Sequence, residues 1–95
     1  MAAFLMIQAA VSNREKYREY QAAVQPLMAS HGGRLMAAGV GLEVLEGTHD
    51  GRRLIIFEFP SIQKIKELWN SPAYAAVKRL REGAAKIDVW AVPGA

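Results

Sequence analysis

Apolar residues run from Phe4 to Val11 with Gln8 the sole polar interruption, which is the length and composition of a strand. Ser12-Asn13 then supply the residue types that leave a strand and cap a helix. From Asn13 to about Ser30, Tyr17, Tyr20, Val24, Leu27 and Met28 recur at steps of three and four, the stripe of an amphipathic helix. Pro26 lies inside that segment and removes a backbone donor, so a kink or a loosened last turn is expected there. His31-Gly32-Gly33 ends the helix, because glycine reaches the left-handed conformation that a helix C-terminus commonly needs. Arg34 to Glu46 carries two apolar stretches broken by Gly39 and Gly41, and reads as one long strand with a bulge or bend. Asp50-Gly51 is the turn signal that joins it to a third strand, Arg53 to Phe59.

Pro60-Ser61 stops the third strand, after which Ile62, Ile65 and Leu68 or Trp69 repeat at helical spacing as far as Asn70. Ser71 followed by Pro72 is a cap and first-turn pair, so a second helical segment restarts there with Ala73, Ala76, Val77, Leu80 and Ala84 on its apolar side. Gly83 marks the exit, and Ile87 to Val92 forms the last strand. The order β-α-β-β-α-α-β predicts an α+β ferredoxin-like fold, βαββαβ with its second helix split, built on a four-stranded antiparallel sheet. It occupies residues 1–95 as a single domain.

Alternation along the strands carries the prediction to assembly. Ile55, Phe57 and Phe59 share one side of the third strand, and Leu54, Ile56 and Glu58 share the other. In the first strand, Leu5 and Ile7 oppose Phe4, Met6 and Gln8. Both sides read as largely apolar, yet one layer of helices covers only one. A second copy of the chain is therefore expected over the other side, forming a homodimer with Gln8 and Glu58 in its interior.

Composition narrows the classes of function. Hydrophobic residues make up 52% of the 95 and charged residues 22%, a balance that supports a packed core. There is no cysteine, so no disulfide framework and no thiolate nucleophile or ligand is available; this fits a cytoplasmic location. Met1 to Val11 lacks a basic leader and is interrupted by Asn13-Arg14-Glu15-Lys16 well before the roughly 20 residues that a membrane span needs, so no signal peptide and no membrane association are expected. The net charge of +3 comes from basic and acidic residues that alternate in sign. Lys78, Arg79, Arg81 and Lys86 are diluted by Glu82 and Asp88, so no nucleic-acid partner is expected.

Tyr17-Arg18-Glu19-Tyr20, His31-Gly32-Gly33-Arg34, Leu45-Glu46-Gly47, Phe57-Glu58-Phe59-Pro60-Ser61, Asn70-Ser71-Pro72-Ala73-Tyr74 and Arg81 occur in an order and spacing that resemble the family called domain of unknown function 1330, over nearly the whole chain. The resemblance implies a subunit of the dimeric α+β barrel superfamily. That superfamily also holds cofactor-free monooxygenases, lactone isomerases, haem-binding proteins and small stress-responsive dimers, so it selects no chemistry by itself. Asn13-Arg14 stands where the family has Asp-Pro, and Leu68 where it has an aromatic beside Trp69.

Glu58 is the candidate catalytic carboxylate, because a charge on an apolar strand must be paired or neutralised and burial raises its pKa. The competing reading is an ion pair with Arg34, Arg53 or Arg81. His31 is a candidate base, or else a hydrogen-bonding group for the carbonyls at the helix end. Tyr17, Tyr20, Arg34, Trp69, Tyr74 and Arg81 are candidate substrate-binding residues, the aromatics offering rings with polar tips. His49 is read as a solvated turn residue. Two histidines without carboxylates at ligand spacing give no metal site, and no cofactor is expected. Ser71 reads as a cap, not a nucleophile. These features favour a homodimer that binds a small apolar or aromatic molecule in or beside the barrel. A cofactor-free isomerase or monooxygenase and a non-catalytic structural or stress-responsive dimer are the alternatives.

Overall fold

A computed structural model describes all residues from Met1 to Ala95. Strand β1 (Ala3–Val11) leads into helix α1 (Arg14–Ser30), strand β2 (Arg34–Ala37) and strand β3 (Arg53–Phe59). Helices α2 (Ile62–Trp69) and α3 (Pro72–Lys78), a 3₁₀ turn at Arg79–Arg81 and strand β4 (Ala85–Pro93) complete the chain. The sheet order is β2-β3-β1-β4 with every pair antiparallel, the ferredoxin-like arrangement. The helices lie on one face, giving a slab 37 × 36 × 16 Å.

The local signals form as expected. Asn13 accepts a hydrogen bond from the Lys16 N–H at 3.1 Å, Ser61 caps α2 through the Lys64 N–H, and Ser71 caps α3 through the Tyr74 N–H at 3.1 Å. The Ser71 hydroxyl also donates to the Leu68 carbonyl at 2.7 Å, which ties the two helical segments together. α1 passes through Pro26 without a break and ends in a paired turn: Gly33 N–H bonds to the Met28 carbonyl at 2.9 Å and Gly32 N–H to the Ala29 carbonyl at 3.0 Å. Gly32, at φ 82°, presses against Pro60, so the end of α1 is locked to the corner after β3.

The core lies between helices and sheet. β1 contributes Ala3, Leu5, Ile7 and Ala9, β3 contributes Ile55 and Phe59, α1 contributes Tyr17, Tyr20, Val24 and Met28, and the later helices contribute Ile65, Leu68 and Tyr74. Small and aliphatic residues on the sheet thus receive the large rings of α1 and α3. Phe59, Leu5, Leu68 and Tyr74 are fully enclosed, each stabilising the fold by about 1.5–3 kcal/mol relative to exposure.

The second strand differs from the expectation of Arg34 to Glu46, since it ends at Ala37. The register shifts between Leu35 and Ala37, and Gly39 at φ 76° brings its backbone directly onto that of Leu54, which takes the chain out of the sheet. The following loop presents Val40, Leu42, Val44 and Leu45 to solvent, Leu45 at 94% exposure.

The face away from the helices is also less uniform than expected. Phe4, Met6, Ile56, Trp90 and Val92 make one end largely apolar, with Glu58 opposite Phe4 and Arg34 opposite Glu58 at its margin, Trp90 being 46% exposed. The other end is polar. His49 is not a solvated turn residue: its Nδ1 accepts from the Gly51 N–H at 3.1 Å, so Nε2 carries the proton and donates to Gln8 Oε1 at 2.8 Å. Arg52 reaches Asp50 at 2.8 Å and Asp88 at 2.6 Å beside it. The Arg52 backbone N–H, and then its guanidinium, hold the Asp50 carboxyl below the usual carboxylate range.

Gly39→Ala is expected to lower the unfolding free energy from urea titration by clearly more than the roughly 1–2 kcal/mol of a left-handed alanine, because its methyl group would overlap the Leu54 carbonyl. Gly41→Ala, at φ 80° and facing open space, is expected to cost only that amount. Equal midpoints for the two variants would show that the contact with Leu54 is not what ends β2.

Candidate ligand site between helix and sheet

The site begins with two periodicities that meet. Residues Tyr17, Tyr20, Val24 and Met28 of α1 face inward, and Ile55 and Phe57 of β3 face up toward them. Between them lies a cavity of about 100 Å³, closed on one side by Trp69 and floored by Ile7, Ile87 and Val89. Gln21, Gln25 and Arg53 are its polar side chains besides the two tyrosines; no carboxylate or histidine borders it.

Three of the eight candidate residues, Tyr17, Tyr20 and Trp69, line it, and two more, Tyr74 and Arg81, pack behind them. The hydroxyls of Tyr20 and Tyr74 share a buried hydrogen bond of 2.9 Å, which joins α1 to α3. The Tyr17 and Tyr20 rings have centroids 5.6 Å apart, and the Trp69 and Tyr74 rings 4.5 Å apart, both tilted. The guanidinium of Arg81 sits over the Tyr20 ring at 5.4 Å, and Lys78 Nζ lies over Trp69 at 5.5 Å. Arg81 Nε is buried and has no hydrogen-bond partner.

Burial, and then the neighbouring Tyr74, pushes the Tyr20 hydroxyl above the ordinary tyrosine range; burial does the same to Tyr17 against the opposing charges of Arg81 and Arg53. Burial disfavours the charge on Arg81, but Tyr74 and Tyr20 outweigh it and leave its pKa raised. The phenols are therefore neutral hydrogen-bonding groups at neutral pH, able to orient a polar substituent but unsuited to removing a proton.

The other three candidates lie elsewhere. Arg34 and Glu58 are cross-strand partners on the opposite sheet face, with Arg34 Nη2 2.7 Å and Nε 2.9 Å from Glu58 Oε1, and the carboxylate side chain is 25% exposed. His31 sits at the C-terminus of α1, its Nδ1 2.9 Å from the Leu27 carbonyl and 3.2 Å from Ser30 Oγ. Arg53 was singled out in the sequence only as a partner for Glu58. The signal for its place at the cavity was its parity with Ile55 and Phe57.

A helical layer over one face of an antiparallel β2-β3-β1-β4 sheet, with a cavity between the layers, defines a ferredoxin-like α+β protein. Residues 2–95 match the profile of the family described as Domain of unknown function (DUF1330), and the chain belongs to that family. A protein of unknown function from Rhodopseudomonas palustris is similar in structure, with a TM-score of 0.78 at 18% identity over 99% of this chain and 82% of that one. SnoaB from Streptomyces nogalater, a cofactor-independent oxygenase, aligns with a TM-score of 0.69 at 8% identity, covering 99% and 93% of the two chains. A dimeric ferredoxin-like protein of unknown function from Bacteroides fragilis aligns at 0.59 and 14% identity, covering 98% and 96%. At these identities the likenesses establish the fold. No curated protein matches the sequence. No helix is long and apolar enough to cross a membrane.

Tyr20→Phe leaves the buried Tyr74 hydroxyl without its partner, an expected loss of about 1–3 kcal/mol. The effect of pH has a definite sign. Tyr20 holds its proton more tightly in the folded chain than in the unfolded one, where its value is near 10.0. The stability this contributes is complete below pH 10 and is lost as the pH rises through the folded value. Tyr20→Phe is therefore expected to flatten the alkaline loss of stability in denaturation curves taken above pH 10, and an unchanged slope would contradict the assignment.

Proposed function

We propose that this protein is a cytoplasmic homodimer that binds a small apolar or aromatic molecule in the cavity between α1 and the sheet, beside the barrel. The observation that carries the reading is the cavity itself, walled by Tyr17, Tyr20 and Trp69 and lined by aliphatic side chains. Tyr74 and Arg81 act behind that wall by holding Tyr20 and Trp69 in place. The cysteine-free chain fits a reducing compartment.

The proposed dimer follows from the apolar residues of the open face and from the exposed Val40, Leu42, Val44 and Leu45 of the loop after β2, which a second copy would cover. The dimeric protein from Bacteroides fragilis supports this. In such a dimer the Arg34–Glu58 pair and Gln8 lie at the subunit interface.

Light scattering at micromolar concentration is expected to give twice the 10.4 kDa chain mass, and Trp90→Glu a folded species of half that. A wild-type chain that stays single while folded would remove the dimer. In thermal-shift and two-dimensional NMR screens, one-ring aromatics are expected to raise Tm and to move the signals of Tyr17 and Trp69. If none does so at millimolar concentration, the binding reading falls.

The likeness to SnoaB favours a second reading, a cofactor-free oxygenase or isomerase acting in the same cavity. Glu58 and His31 stand outside the cavity, so the substrate there would meet only neutral phenols, amides and Arg53. Oxygen consumption in the presence of a one-ring hydroquinone separates the oxygenase from the binding protein, which consumes none.

A further inference from the structure

The cavity under α1 has a mouth of a different character. At the N-terminal end of α1 it adjoins a wider cleft of about 470 Å³, with Tyr17, Gln21, Arg53 and Ile55 lining both spaces. The cleft adds Arg14 and Arg18, one turn apart on α1, so that three guanidinium groups surround the opening. No carboxylate lines either space.

These charges are uncommitted. The ion pairs of the chain involve Arg34, His49, Arg52 and Lys64, and none involves Arg14, Arg18 or Arg53. Arg53 Nε donates to the Ala38 carbonyl at 2.8 Å, which fixes the side chain at the mouth and leaves its terminal NH₂ groups without a protein partner. A fixed guanidinium fork matches a carboxylate in both geometry and charge.

Size limits the apolar part. A cavity of about 150 Å³ in another protein accepts benzene, so the roughly 100 Å³ here suits no more than one ring or a branched chain of similar size. Resting on the binding reading above, we propose that the ligand is a small carboxylic acid with one aromatic ring or a comparable aliphatic group. The ring enters beneath α1 beside Tyr17 and Trp69, and the carboxylate remains at the mouth on Arg53, with Arg18 and Arg14 alongside.

Phenylacetate and its neutral analogue phenylacetamide test this by isothermal titration calorimetry at low salt. Wild-type protein is expected to bind the acid about tenfold more tightly than the amide, the scale of a charge-assisted hydrogen bond. Arg53→Gln is expected to bring the ratio of acid to amide affinity to about one, and Arg18→Gln to remove part of the preference. All three arginines are on the surface, so these variants fold. Raising the salt to about 0.5 M is expected to shrink the preference, since the guanidinium groups face solvent. Equal binding of acid and amide by the wild type, or a preference that survives in the Arg18→Gln, Arg53→Gln double variant, overturns the proposal and leaves the apolar cavity as a binding site. Binding of neither overturns both.

Discussion

The structure depends on a central strand that is hydrogen-bonded along both edges and has unlike faces. β1 lies between β3 and β4, with its full length paired to β4 and seven of its positions paired to β3. Its inward residues, Ala3, Leu5, Ile7 and Ala9, are aliphatic and narrower than a ring, and all are buried. Large side chains there would lift α1 off the sheet. Narrow ones let the tyrosines of α1 descend between α1 and the sheet, and the space left beside them is the cavity.

Much of this was legible in the sequence because the governing interactions are local. Asn13, Ser61 and Ser71 cap helices through bonds spanning three residues, and Gly32-Gly33 closes α1 through bonds to Met28 and Ala29. Alternation in β1 and β3 predicted which residues face the helices. The apolar pattern extends β2 past Ala37 because the strand's end is decided by the backbone of Gly39 meeting Leu54, a contact with no local signature. The pairing of His49 with Gln8, 41 residues away, was hidden for the same reason.

The candidate site was legible in its residue types but not in its grouping. Tyr17 and Tyr20 share a helix face by spacing alone, whereas Tyr20 meets Tyr74 across 54 residues through the packing of two helices. Glu58 drew notice as a charge on an apolar strand, and its partner is set by the β2–β3 register, which places Arg34 directly opposite. That pair puts the charge to structural use and separates it from the cavity. Arg53 has no signal of its own in the sequence as a cavity residue, because its position there depends on which face of β3 turns toward α1.

β3 therefore performs two tasks with alternate residues. Arg53, Ile55 and Phe57 border the cavity, and Leu54, Ile56 and Glu58 belong to the opposite face. Substitution at an odd-numbered position leaves the even-numbered surface intact, so the lining of the cavity and the outer sheet surface are free to diverge independently among descendants. Insertion or deletion of a single codon within β3 has no such freedom, because it exchanges the two surfaces at a stroke. Lineages of this protein should vary freely in the composition of that strand while holding its length constant.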